Sequence, residues 1–477
     1  MYAYTIICIL TTLQKNALQP KPIQTPPPFT PAQLLRCFLQ LLPHRALRKL
    51  PALKNKTFYH RLFTPLVTLW YLLFQRLNHD HSLEAALTDA QAGGADRLNR
   101  RLSRRLVSCS TASYSDARQR LPWEFLLQAL WLQGRKLTGL SPTALWQNLV
   151  VALLDGSTVR LRPYRNIPQE FPPHSNQHPK HSYWCLMRVV VSFCCFTGAA
   201  LDCTLGSTHL SEQALGAELM LRTLGPCLFI GDRNFGVFRL VQAARAKKHH
   251  VLLRLTQVRA AKLLGQALRL GDHAVSWKPS RHDQAQPGLS KDPVVGRLIV
   301  VQLKRQGCRS QRLCLFTTLE EVAHYPMAEL VRLYGLRWHI ELDLRYVKAQ
   351  MEAAQLEAHS TQMARKEWLA SLLAYNLIRA AMFCAALHKG IQPLSLSFSA
   401  CRRRLEYWLR DFGHTKAAVR ATWQKILTTI SQCLLPRRHR PRPNEPRAQR
   451  HLRQSYPPLL GPRAHARKKL QQNPPKS

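Results

Sequence analysis

Acidic side chains are scarce in this 477-residue sequence: 26 Asp plus Glu stand against 69 Lys plus Arg, a formal net charge of +43. Such a charge strains a compact chain unless a polyanion balances it, and nucleic acid is the obvious counter-charge. An anionic membrane surface is the rival partner, but it calls for a long apolar span or a basic amphipathic anchor, and the sequence presents neither. The longest charge-free apolar stretches, Thr64–Gln75 and Val189–Leu201, fall short of the roughly 18–20 residues a spanning helix needs. The 13 Cys are scattered without a C-x-x-C, which argues against a zinc knuckle or a disulfide framework and suits a reducing cytoplasm. The apolar opening Met1–Gln14 has no Lys or Arg before it and no small-residue cleavage site before Pro20–Pro28, so it is not read as a signal peptide. The expected setting is cytoplasmic and nucleoid-associated, with no membrane partner.

Length alone predicts two to four domains, at roughly 100–200 residues each. Residues 1–30 lack periodicity and end in prolines, which reads as a disordered extension. Residues 31–147 read as a helical DNA-binding region, with apolar residues at helical spacing in Ala32–Leu42, Thr64–Leu77, Ser82–Ala92 and Trp123–Gly134. Among these helices stand Arg97, Arg100, Arg101, Arg104 and Arg105, either a solvated helix face or, as the overall charge favours, a DNA-facing one.

At Asn148 the pattern turns to α/β. Leu149–Leu154 is a short apolar run ending at Asp155, Tyr183–Phe196 and Ala199–Gly206 read as a hairpin, and Ser211 caps a helix. A second apolar strand, Cys227–Gly231, ends at Asp232; a helix near Phe235–Lys247 and a strand Val251–Thr256 follow. Residues 257–320 break the alternation and read as a β-rich insertion, before a long helix from about Met327 to Gln355. An α/β core is thus assigned to 148–256 and 321–390, further helices to 391–435, and a basic Pro/Arg-rich tail to 436–477.

Tyr334, Arg337, Glu341, Arg345 and Lys348 stand at offsets 0, 3, 7, 11 and 14, which at about 100° per residue confines them to about a quarter of a helix. An ordinary amphipathic helix with Glu341–Arg345 and Glu341–Lys348 ion pairs would show the same spacing. Two strand-terminal aspartates favour chemistry instead: Asp155 and Asp232 can converge with Glu341 on hard cations, while Arg337 and Lys348 hold phosphate. Asp343, about 200° away on the helix, and Asp202, on the hairpin, do not fit that geometry. His178, His181, His249 and His250 lack partners at zinc-ligand spacing.

Tyr334-x2-Arg337-x3-Glu341-x6-Lys348 resembles the Tyr-Arg-Glu-Lys signature of a large group of bacterial DDE insertion-sequence transposases. Asp155-Gly156-Ser157 looks like the first aspartate motif of that group and Gly231-Asp232-Arg233-Asn234-Phe235 like its second, with Asn234 where a small residue, often Gly, is usual. Lys366-Glu367-Trp368 and Tyr375-Asn376-Leu377 resemble it too. The resemblance implies a ribonuclease-H-like core with a β insertion before the glutamate helix, magnesium with manganese as the alternative ion, and Asp155, Asp232 and Glu341 as catalytic metal ligands. It further implies Tyr334, Arg337, Arg345 and Lys348 on DNA phosphate, a homo-oligomer bridging element ends, and target DNA as the second substrate. Trp277 is a candidate for stacking on a flipped base. A two-metal nuclease or resolvase that cuts without joining, and a decayed DNA-binding remnant, are the alternatives.

Overall fold

The computed structural model describes residues 34–54, 62–140, 145–173, 184–285, 290–305, 308–409, 416–436, 467–468 and 471–472. The expected extension 1–30, His178, His181 and nearly all of the tail 436–477 lie outside them. Helices stand at α1 (Leu34–Leu41), α2 (Pro65–Leu77), α3 (Leu83–Gln91), α4 (Ala112–Arg120) and α5 (Trp123–Thr138). Thr64 and Ser82 cap α2 and α3 by accepting the amides of Val67 and Ala85. The arginine cluster is mostly turn, with only Leu102–Arg105 helical; Leu102 is buried and all five arginines face outward.

The sheet begins with β1 (Leu149–Leu161), β2 (Cys185–Cys194) and β3 (Ala200–Ser207), an antiparallel meander. Helix α6 (Glu212–Arg222) leads to β4 (Cys227–Gly231), and α7 (Phe238–Ala246) to β5 (His250–Leu255). These two strands run parallel to β1, in the order β3-β2-β1-β4-β5. After α8 (Gln257–Leu264) come β6 (Gly271–Trp277), β7 (Val294–Arg305) and β8 (Cys308–Thr317). They do not form a separate body. β8 pairs antiparallel with β5, so the order continues β5-β8-β7-β6, and the β-rich stretch after residue 256 extends the central sheet. Two-residue strands at Leu145–Trp146 and Gln355–Leu356 also pair with β1, making ten strands in one mixed α/β sheet.

One face of the sheet is covered by α6 and α7, around Phe229, Phe235 and Phe316. The other is covered by α9 (Met327–Gly335), α10 (Trp338–Arg345) and α11 (Thr361–Lys389). Helix α11 is long and apolar enough to cross a membrane by length and composition, yet its most apolar window is wholly buried in the fold. Against it pack α2, α5 and later helices α12 (Phe398–Leu409) and α13 (Lys416–Ser431). The N-terminal helices thus share one apolar cluster with the sheet, and residue 147 divides sequence patterns rather than cores.

The residues of the downstream motifs turn out to be joints. Glu367 on α11 pairs with Arg76 of α2 at 3.0 Å and Arg118 of α4 at 3.5 Å. The Asn376 amide accepts Ala200 N–H at 2.7 Å and donates to Ala200 C=O at 2.8 Å, satisfying the start of edge strand β3. Tyr375 donates to Gly198 C=O at 2.7 Å, in a turn whose φ of +68° suits glycine.

Candidate active site

Asp155 stands in the middle of a strand, not at its end. β1 continues to Leu161 because residues 155–161 pair with Val191–Cys185 of β2. Pairing with β4, however, stops at Leu153↔Ile230, so β1 has lost its parallel neighbour where Asp155 emerges. Asp232 follows directly on the last residue of β4, which brings the two aspartates to adjacent strands at one level.

The third carboxylate comes from a broken helix. In place of one helix from Met327 to Gln355, α9 ends at Gly335, α10 begins at Trp338, and a π-turn spans Tyr346–Gln350. Leu336 and Arg337 keep helical dihedrals, so the face is bent rather than lost. The bend separates the signature residues. Tyr334 is buried, its hydroxyl beside Arg337, and cannot touch phosphate as placed. Arg337 is also largely buried and donates from Nη2 to Glu341 Oε1 at 2.9 Å, neutralising the carboxylate it was expected to leave free. Neither Arg345 nor Lys348 forms an ion pair with Glu341: Lys348 Nζ donates to Ser157 Oγ at 3.0 Å, and Arg345 is exposed.

Asp155, Ser157, Glu341, Arg345 and Lys348 line one groove of about 400 Å³; Asp232 lies beside it rather than in its wall. Burial pushes the Asp155 carboxyl up to about 7, and the charges of Asp232 and Glu341 push the same way, against the Gly156 N–H that donates to it and the nearby Arg337. Asp155 therefore feels both of the other carboxylates. Among the described residues, though, no three Asp, Glu, His or Cys side chains stand close enough to hold one ion. The donors themselves are all hard oxygen ligands, of the kind magnesium or manganese takes.

An acid whose folded pKa is raised contributes stability below its unfolded value, near 3.8, and loses it as pH rises through about 7. In metal-free buffer, Asp155→Asn should therefore be more stable than the parent by about 2–4 kcal/mol at pH 8, with the gap closing toward pH 4. Parallel denaturation curves at the two pH values check this, and a pH-independent difference would refute it.

The excluded aspartates are structural. Asp202 is buried, accepting from Trp131 Nε1 at 2.6 Å and Arg222 at 2.7 Å. Asp343 is buried against Arg379 at 2.5 Å. His249 bonds the backbone of Cys227 and Met220. Trp277 is 8% exposed, its ring edge-on to Phe316 at 4.8 Å and near Phe238, so no base can stack on it in this arrangement. Sequence reading missed Ser157 as the partner of Lys348 and overlooked Glu212, whose place behind a capping serine marks only a helix start.

Residues 146–377 match the family model described as Transposase DDE domain. The chain is 29% identical over 297 residues to the transposase InsG for insertion sequence element IS4 of Escherichia coli (strain K12), an alignment covering 59% of this chain and 64% of that relative. It thus spans slightly less than two-thirds of the relative. A solved structure of the piggyBac transposase synaptic complex with hairpin DNA aligns over 85% of this chain and 87% of its own, at 11% identity and a TM-score of 0.40. Asp155, Asp232 and Glu341 all fall within the matched 146–377, and it is across this segment that the chain carries its likeness to the DDE transposase domain.

Proposed function

We propose that the chain is an insertion-sequence transposase that cuts DNA at the ends of its element and joins them to target DNA. The observation that carries the reading is that Asp155 and Asp232 stand at one level on adjacent parallel strands, while Asp155 and Glu341 line a groove that also presents Arg345 and Lys348. The strand order β3-β2-β1-β4-β5, three antiparallel and then two parallel, supports a ribonuclease-H-like core. Asp155, Asp232 and Glu341 would hold magnesium, or manganese in its place, which when bound supplies Lewis acidity to the attacking and leaving oxygens.

The chain's own part is to gather charge. Phosphate entering the groove competes with Glu341 for Arg337, freeing the carboxylate, while Lys348 and Arg345 fix the backbone of the strand to be cut. Lys348 is steered by Ser157. The exposed arginines 97–105 add a sequence-independent grip on DNA, and a homo-oligomer would bridge two ends.

The test uses full-length protein, a plasmid carrying the reading frame with its flanking DNA, an unrelated target plasmid and magnesium. Breaks at both borders and border-to-target joints are expected. Breaks without joints would overturn the transposase reading in favour of a nuclease. Folded protein that binds DNA but breaks neither border would indicate a decayed remnant.

A further inference from the structure

Glu212 is the first residue of α6. Ser211 caps that helix by accepting the Ala214 amide at 3.1 Å, which fixes Glu212 in the first turn, where an anion is favoured. Consecutive strand residues face opposite sides of a sheet, so Glu212 approaches β1 from the face away from Asp155, at Gly156. It fills the room a side chain there would take: a Cβ on Gly156 would lie 2.4 Å from Glu212 Cδ and 2.6 Å from Oε1. A side chain at 156 would therefore push the Glu212 carboxylate out of this place.

The other oxygen, Oε2, accepts from Asn234 Nδ2 at 2.5 Å. Gln213, the next residue of α6, donates from Nε2 to Asn234 Oδ1 at 2.7 Å and to its C=O at 3.0 Å. Both ends of the Asn234 amide are thus held by α6. Its backbone N–H is given to Asp232 Oδ1 at 2.8 Å. A glycine in that place could donate the same backbone bond but could not be clamped. Glu212 is half-buried; burial pushes its carboxyl up, Arg188 opposes this, and the charge of Asp232 adds a smaller push upward against the Asn234 hydrogen bond. The two acids repel, and the amide between them sets their spacing.

We propose that Glu212 is a positioning residue for the second aspartate: through Asn234 it fixes the turn that aims Asp232. The proposal rests on the reading of Asp155, Asp232 and Glu341 as the metal-binding carboxylates.

The test compares Glu212→Ala, Glu212→Gln, Asn234→Ala and the Glu212→Ala/Asn234→Ala double variant as full-length proteins, with Asp155→Asn as reference. Manganese is titrated calorimetrically into each protein on a short DNA duplex, and cleavage is followed on the plasmid with native flanks. Glu212→Ala and Asn234→Ala should each weaken manganese binding and lower kcat by about 10–100-fold, as loss of a group that orients a ligand does, with KM for DNA unchanged. The double variant should be no worse than either single change, because both break one chain of contacts. Glu212→Gln keeps an oxygen for Asn234 and should stay within about threefold of the parent on the same argument. Multiplying losses in the double variant, or a Gln variant as damaged as the Ala one, would overturn the proposal. If Asp155→Asn abolishes manganese binding and Glu212→Ala leaves it intact, only the role of Glu212 falls. If the parent itself binds no manganese that depends on Asp155, both readings fall.

Discussion

Glu341→Gln should lower strand cleavage in magnesium by about a thousandfold or more, equivalent to about 4 kcal/mol of lost transition-state stabilisation. The substitution keeps the size of the side chain and its helix propensity while removing the charge that draws a cation. An oxygen remains for Arg337, now 2.9 Å from Glu341, and an i,i+4 pair with one partner 38% exposed contributes only about 0.3–0.5 kcal/mol to the fold. Folding and DNA affinity should therefore survive within about twofold, since the many exposed cations that bind phosphate are untouched. Asp155→Asn and Asp232→Asn should behave alike. Arg337→Ala and Lys348→Ala should give intermediate losses, because they position phosphate without being ligands. Cleavage rates and gel shifts on the same preparations check this, and wild-type cleavage by Glu341→Gln would remove that residue from the chemistry.

Asp343→Asn should instead damage the fold, by about 3–5 kcal/mol. Its carboxylate is buried with Arg379 Nη2 at 2.5 Å and Tyr375 Oη at 3.1 Å, and Arg379 Nε in turn reaches Tyr375 Oη at 2.7 Å. The guanidinium lies 5.2–5.7 Å from the rings of Tyr346, Tyr375 and Phe398, so it cannot regain water when its counter-charge goes. Arg379→Met should cost a similar amount by stranding the carboxylate. Replacing both partners by apolar residues, as in Asp343→Leu/Arg379→Met, should recover much of the loss. The sequence alone places Asp343 merely outside the site, which predicts a silent change. Its burial predicts an unstable protein whose folded fraction still cleaves. Denaturant midpoints measure the effect, and a loss under about 1 kcal/mol would show that the pair is dispensable.

Much of this arrangement is legible from local pattern. Apolar periodicity places α2 and α3, and the cap at Ser211 places α6, within a residue or two. The hairpin β2–β3 and strand β4 follow from short apolar runs. What the pattern could not give is non-local. Nothing in Asp155–Leu161 tells that β2 will pair along all of it, so a mid-strand aspartate reads as a terminal one. The sequence shows a β-rich stretch after residue 256 but cannot show that β8 joins β5. The signature from Tyr334 to Lys348 has perfect helical spacing, yet Leu336–Arg337 and the π-turn bend it, and burial decides that Tyr334 serves the core. Glu212 was invisible for the same reason: only the fold brings it to Gly156 and Asn234.

The most direct measurement is the anomalous scattering of manganese in crystals of the full-length protein bound to DNA. The account predicts a manganese peak held by the carboxylates of Asp155, Asp232 and Glu341, with Arg337 turned from Glu341 to a DNA phosphate. Manganese bound elsewhere, or a Glu341 still paired with Arg337 on cleavable DNA, would contradict it.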